Sequence, residues 1–97
     1  MRIKVDYMAE LRRDAAVKVG DVVLCCWTNS GNEWAGKAEV VKLNAKTARC
    51  RLLAPVGGPG YYLAGQEIRV PRAVDVANWS FRNCMLEWKE EYAEALS

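Results

Sequence analysis
At 97 residues, 52% of them hydrophobic, the chain is the size of one domain with a modest core, and residues 1–97 are expected to fold as a single unit. No apolar run approaches the ~18 residues of a membrane helix, and MRIKVDYMAELRR lacks the continuous apolar stretch of a signal peptide, so a cytoplasmic protein without membrane contact is expected. The net charge is +2, with seven Lys/Arg against four Asp/Glu over residues 21–72 and two against five over 73–97; a mildly basic middle and an acidic tail permit a nucleic-acid partner without demanding one.

Residues 1–16 open with a brief alternation at Ile3 and Val5. Tyr7, Met8, Leu11 and Ala15 then recur at helical spacing, which predicts a short N-terminal helix with Asp6 as its N-cap. After a Gly20-Asp21 turn, the β-branched and aromatic run over 21–28 predicts a strand, and the turn chemistry of NSGNE predicts a loop. WAGKAEVVKL (34–43) and TARCRLL (47–53) read as a hairpin closed by NAK, where Asn44 tolerates a left-handed backbone. Pairing Leu43 with Thr47 sets Val41 opposite Arg49, Val40 opposite Cys50, Glu39 opposite Arg51 and Ala38 opposite Leu52. Ala38, Val40, Ala48, Cys50 and Leu52 then share a core face. The other face carries Lys37, Lys42, Arg49 and Arg51, with Glu39 neutralising Arg51.

APVGGPGYYLAG (54–65) is too rich in glycine and proline for a regular element and is expected to be a long loop. QEIRVP (66–71) alternates cleanly, Ile68 and Val70 inward, with Pro71 closing the strand. RAVDVANW reads as a turn into the last element. Over residues 78–96, Phe81, Met85, Trp88, Tyr92 and Ala95 fall three and four apart on one stripe, flanked by Glu87, Glu90, Glu91 and Glu94, which predicts an amphipathic C-terminal helix. Such a stripe needs a partner surface, for which Val41 and Leu43 on the hairpin's outer side are a candidate.

Laid in order, VGDVV, the Trp34-Ala35-Gly36 opening of a bent strand, the tight hairpin at Asn44 and the short EIRVP strand resemble the small SH3-like barrels of the KOW and Tudor type, over residues 18–73. The expected fold is therefore mainly β with flanking helices: a short N-terminal extension (1–17), a small SH3-like β-barrel (18–73) and a C-terminal helix (74–97). Barrels of this kind host binding modules for RNA, DNA, methylated peptides or proline-rich peptides, and a few enzymes, so the resemblance alone does not select a function. A Tudor-like aromatic cage would draw on Trp27, Trp34, Tyr61 and Tyr62; the same rings could instead plug the barrel end. The chain is also similar in outline to the type II dihydrofolate reductases, but Glu67-Ile68-Arg69-Val70 stands where those enzymes carry Val-Gln-Ile-Tyr.

Catalysis is not expected. There is no histidine and no clustered acidic pair outside the C-terminal segment, and GGPG lacks the Lys-Ser/Thr of a nucleotide-binding loop. Cys25, Cys26, Cys50 and Cys84 form no CxxC pair, and adjacent Cys25 and Cys26 point to opposite faces of a strand, so buried free thiols and neither metal nor cofactor are expected. The functional lead is the basic set Lys37, Lys42, Lys46, Arg49, Arg51, Arg69 and Arg72. With aromatic rings nearby it could track a nucleic-acid backbone, phosphates on the cations and bases on the rings, or it could be a solvated sheet face. A second possibility is a protein-interaction module, of phage or other mobile-element origin, that docks on a host protein or a second copy of itself through Phe81, Met85, Trp88 and Tyr92.

Overall fold
A two-residue turn at Ser30 and Gly31 sets the longest strand pair of the molecule. Both residues adopt positive φ, 52° and 81°, the backbone of a turn whose twist matches that of the flanking strands. Asn29 therefore pairs directly with Asn32, and the strands run right up to the turn in place of the loop expected over 29–33. The computed structural model describes residues 6–58 and 60–96, so the Ile3 and Val5 alternation lies outside the described residues. The elements are α1 (Tyr7–Asp14), β1 (Val22–Asn29), β2 (Asn32–Leu43), β3 (Thr47–Leu52), β4 (Glu67–Pro71), β5 (Cys84–Glu87) and α2 (Glu91–Leu96). All strand pairs are antiparallel in the order β4-β3-β2-β1-β5, and the sheet curls until β4 approaches β1 and β5. The result is a five-stranded half-barrel, compatible with an SH3-like barrel, with a short helix at each end of the chain.

The inner face buries Val23, Cys25, Trp27, Ala38, Val40, Ala48, Cys50, Leu52, Tyr62, Val70 and Met85. In the central hairpin the pairs Ala38–Leu52, Glu39–Arg51 and Val40–Cys50 stand as expected, but β2 carries an extra residue after Val40. Beyond this bulge Arg49 faces Lys42 rather than Val41, and Leu43 faces Ala48 rather than Thr47. A bulge bends its strand and re-aims the residues that follow, so Leu43 packs against the inner core and is not part of an outer docking surface. Asn44 closes the turn, its N–H donating to the Thr47 carbonyl at 2.8 Å and its side-chain amide to the Thr47 hydroxyl at 3.2 Å.

The segment between β3 and β4 holds no regular element, as expected, but its described residues fold into an arm. It prolongs β3 and β4: Leu52 exchanges main-chain hydrogen bonds with Gln66 and Gly65, and Val56 bridges Tyr62. Gly36 admits the arm, since a Cβ there would stand 2.7 Å from Val56 Cγ2 and 3.2 Å from Leu52 Cδ2.

Residues 78–96 do not form one helix. Cys84–Glu87 is β5, paired with β1, and only Glu91–Leu96 is helical. The stripe is correspondingly dispersed: Met85 enters the inner core, Tyr92 and Trp88 pack outside β1 with Leu24, Cys26, Cys84 and Leu86, and Phe81 is 64% exposed. The apolar run Cys84-Met85-Leu86 completes an open sheet edge whose unpaired main-chain groups outweigh a weak helical preference. It also explains the continuous apolar run of β1, which is covered on both sides: the barrel lies inside, and the C-terminal segment outside. That segment reaches only as far as the first half of β2, where Ala35 packs against its cluster and Lys37 meets Trp88, leaving the outer face of the rest of β2 and of β3 and β4 open.

At the N-terminus Asp6 caps α1 as expected, its Oδ1 accepting from the Ala9 N–H at 3.2 Å.

Candidate functional site
The open outer face is organised by register. Lys42 on β2, Arg49 on β3 and Arg69 on β4 are direct cross-strand partners and form one row; Glu39, Arg51 and Glu67 form the next. The intervening row, Val40, Cys50 and Ile68, turns inward to the core. With strands about 4.8 Å apart, the first row sets three cations across roughly 10 Å. Like charges directly opposite each other on a ladder repel, and among the described residues the carboxylate paired with this row is Glu67, 3.5 Å from Arg49 Nε; it also lies 3.5 Å from Arg51 Nη2 in its own row. Both contacts are exposed and long, so they stabilise by no more than ~1 kcal/mol. Lys46 extends the basic end from the exposed β2–β3 turn.

Two of the seven basic residues are employed elsewhere. Lys37 lies at the border with the covered half of the sheet, its Nζ 4.7 Å from the centre of the Trp88 ring, a cation–π contact. Arg72 points inward: Nε and Nη2 donate to Asp14 Oδ2 and the Asp14 carbonyl, each at 3.0 Å, and Nη1 donates to the Asn44 carbonyl at 2.8 Å. It ties the end of α1 to the β2–β3 turn.

The four aromatic residues do converge, but on one another. Trp27 meets Tyr62 at 5.0 Å, and Trp34 meets Tyr61 at 5.3 Å and Tyr62 at 5.4 Å, mostly edge to face. Trp27 and Tyr62 are buried, the Tyr62 hydroxyl accepts from Asn29 Nδ2 at 2.9 Å, and Gly57 presses so close to Trp34 that a Cβ would lie 2.4 Å from its ring. The cluster fills the barrel end, with Trp34 half-buried and Tyr61, at 63% exposure, reaching furthest into solvent. It is also remote from the ladder: Lys42 stands eight positions along β2 from Trp34, roughly 26 Å along an extended strand. The open face thus offers charge without a stacking platform.

The row of three cations depends on the bulge, because in an unbulged hairpin Arg49 would have faced Val41. An alternation pattern carries no mark of one extra residue. Among the described residues no three Cys, Asp or Glu side chains come together as a metal site requires. Compared with protein-family models, with curated proteins and with solved structures, the chain matches none.

Proposed function
We propose that this chain is a small non-enzymatic binding module that holds a nucleic-acid backbone on the open face of β2, β3 and β4. The observation that carries the reading is the row Lys42, Arg49, Arg69, whose mutual repulsion an anion would relieve. Lys46 extends the contact, and Arg51 joins it when Glu67 yields. The resemblance to KOW and Tudor barrels, many of which bind nucleic acid, agrees with this assignment. With the rings packed at the far barrel end, binding works through phosphates and reads little sequence.

Titrating labelled single- and double-stranded oligonucleotides across a salt series tests it. Each phosphate contact on a duplex contributes about −0.9 to the slope of log affinity against log salt, so three contacts give a slope of about −3. The triple variant Lys42→Glu, Arg49→Glu, Arg69→Glu, checked for folding by its spectrum, loses retention; unchanged binding removes the ladder from the site. A protein partner is the second reading, favoured by Val74, Val76 and Phe81, each at least half exposed in the segment between β4 and β5. Negligible retention at low salt selects it.

A further inference from the structure
The four cysteines form two pairs, one on each side of the sheet. Cys25 faces the barrel interior and interacts with Cys50; Cys26 faces outward and interacts with Cys84, whose Sγ donates to the Phe81 carbonyl at 3.8 Å. Their surroundings differ. Cys25 and Cys50 are wholly enclosed in the inner core, whereas Cys26 lines a cleft of about 220 Å³ with Glu33, Trp34, Phe81 and Arg82.

Their backbone relationships differ too. Cys26 and Cys84 are direct partners on the β1–β5 ladder. The far edge of β5 is engaged by α1, where Arg13 Nη2 donates to the Met85 carbonyl at 2.8 Å and the Glu87 N–H donates to Glu10 Oε2 at 3.4 Å. Met85 and Glu87 therefore turn their main-chain groups away from β1, while Cys84 and Leu86 turn theirs toward it. Cys26 and Cys84 are accordingly a hydrogen-bonded pair, with Cα atoms about 5.5 Å apart, inside the roughly 4.4–6.8 Å window that a disulfide spans. Cys25 and Cys50 belong to β1 and β3, strands that do not pair, so no ladder sets their backbones at that separation.

We propose that Cys26 and Cys84 are a dithiol site oxidised by hydroperoxides that enter through this cleft. Cys26 Sγ attacks one peroxide oxygen; the O–O bond breaks, an S–O bond forms, and the thiol proton leaves with the other oxygen as water or an alcohol. Cys84 Sγ then attacks Cys26 Sγ, the S–S bond forms, and the hydroxyl leaves with the Cys84 proton as water. The two sulfurs give up two electrons and the peroxide accepts them. The order of the steps follows from access: Cys26 lines the cleft, whereas Cys84 is wholly buried with its Sγ donating to the Phe81 carbonyl. Contact with Cys84 lowers Cys26 against burial and Glu33, while contact with Cys26 and burial push Cys84 upward. Arg82, 2.7 Å from Glu33, offsets at the cleft rim the carboxylate that opposes a Cys26 thiolate. The bridge would fasten β5, and with it Met85, to β1.

The test treats the full chain with hydrogen peroxide and maps its peptides without reduction. The expected product has lost two of its four thiols to a Cys26–Cys84 link that dithiothreitol reverses, and Cys84→Ser stops at a Cys26 sulfenic acid trapped by dimedone. Cys50→Ala reacts as the parent does. Survival of all four thiols in the folded protein, when all four react after denaturation, overturns the proposal, as does a Cys25–Cys50 link.

Discussion
Arg72 surrounds the end of α1: two of its nitrogens reach Asp14, one the carboxylate and one the carbonyl, and the third reaches the Asn44 carbonyl. Asp14 is 1% exposed and pairs with no other cation among the described residues. Removing one partner of a buried ion pair strands the other charge, at a cost of about 3–5 kcal/mol. Arg72→Ala should lose that much in urea unfolding, and Arg72→Lys should recover little, because a single ammonium cannot reproduce a three-way fork. Nucleic-acid affinity per folded molecule should not change, which separates Arg72 from the ladder.

Glu67 holds Arg49 and Arg51 together through two exposed 3.5 Å contacts. Glu67→Gln removes one negative charge from the open face and frees both guanidinium groups. Stability should move by less than about 0.5 kcal/mol, while oligonucleotide affinity rises and its salt slope steepens by about 1 as Arg51 gains a phosphate. Unchanged affinity and slope would mean that the anion does not bind beside Glu67.

How far the sequence led depended on how local each determinant was. The Asp6 cap, the core face Ala38, Val40, Ala48, Cys50 and Leu52, and the strand ending at Pro71 were readable because each rests on adjacent residues or on strict alternation. The bulge at Val41 and strand β5 were not. The bulge shifts register by one residue without disturbing composition, and β5 is a strand only because β1 presents an edge far away in sequence. The spacing of Phe81, Met85, Trp88 and Tyr92 imitated a helix while its members were recruited to different surfaces. At the candidate site, the basic residues were visible one by one, but their division into ladder, cation–π contact and buried fork is a tertiary property.

That recruitment is itself open to measurement. Met85 is 2% exposed in the inner core and Phe81 is 64% exposed. Met85→Ala should cost about 2–5 kcal/mol, and Phe81→Ser should stay within about 0.5 kcal/mol. Were residues 78–96 one helix with a buried stripe, both substitutions would be costly, so equal large losses in chemical unfolding would contradict strand β5.

Gly57 and Gly58 allow a matched comparison. Both hold positive φ, 80° and 87°, but a Cβ at Gly57 would lie 2.4 Å from Trp34 Cζ3, whereas at Gly58 it meets nothing within 4 Å. Gly58→Ala should lose only the backbone cost of about 1–2 kcal/mol. Gly57→Ala should add about 1–3 kcal/mol of overpacking and shift the tryptophan emission as Trp34 is displaced. Equal losses with unchanged emission would show that the arm does not press on that ring.

The buried thiols also set how the fold responds to alkali. Cys25 is raised above the ordinary 9.0 by its interaction with Cys50 and by burial, and Cys84 is raised by its contact with Cys26 and by burial. Tyr92 is raised above 10.0 chiefly by burial, with Glu91 adding to it. Cys26 is lowered and acts in the opposite sense. A raised folded-state value means that the folded protein keeps a proton the unfolded chain releases. The stabilising contribution is complete below the unfolded-state value and is lost as pH climbs past it. The urea midpoint should therefore fall between about pH 9 and pH 11, each raised group contributing up to about 1.4 kcal/mol per pH unit once the unfolded chain is ionised. Cys25→Ala should flatten that decline by one group's share, since it removes the thiol that the inner core keeps protonated. A midpoint that holds steady across this range would show that the core readily accommodates the thiolates, and would break the link between burial and alkaline unfolding.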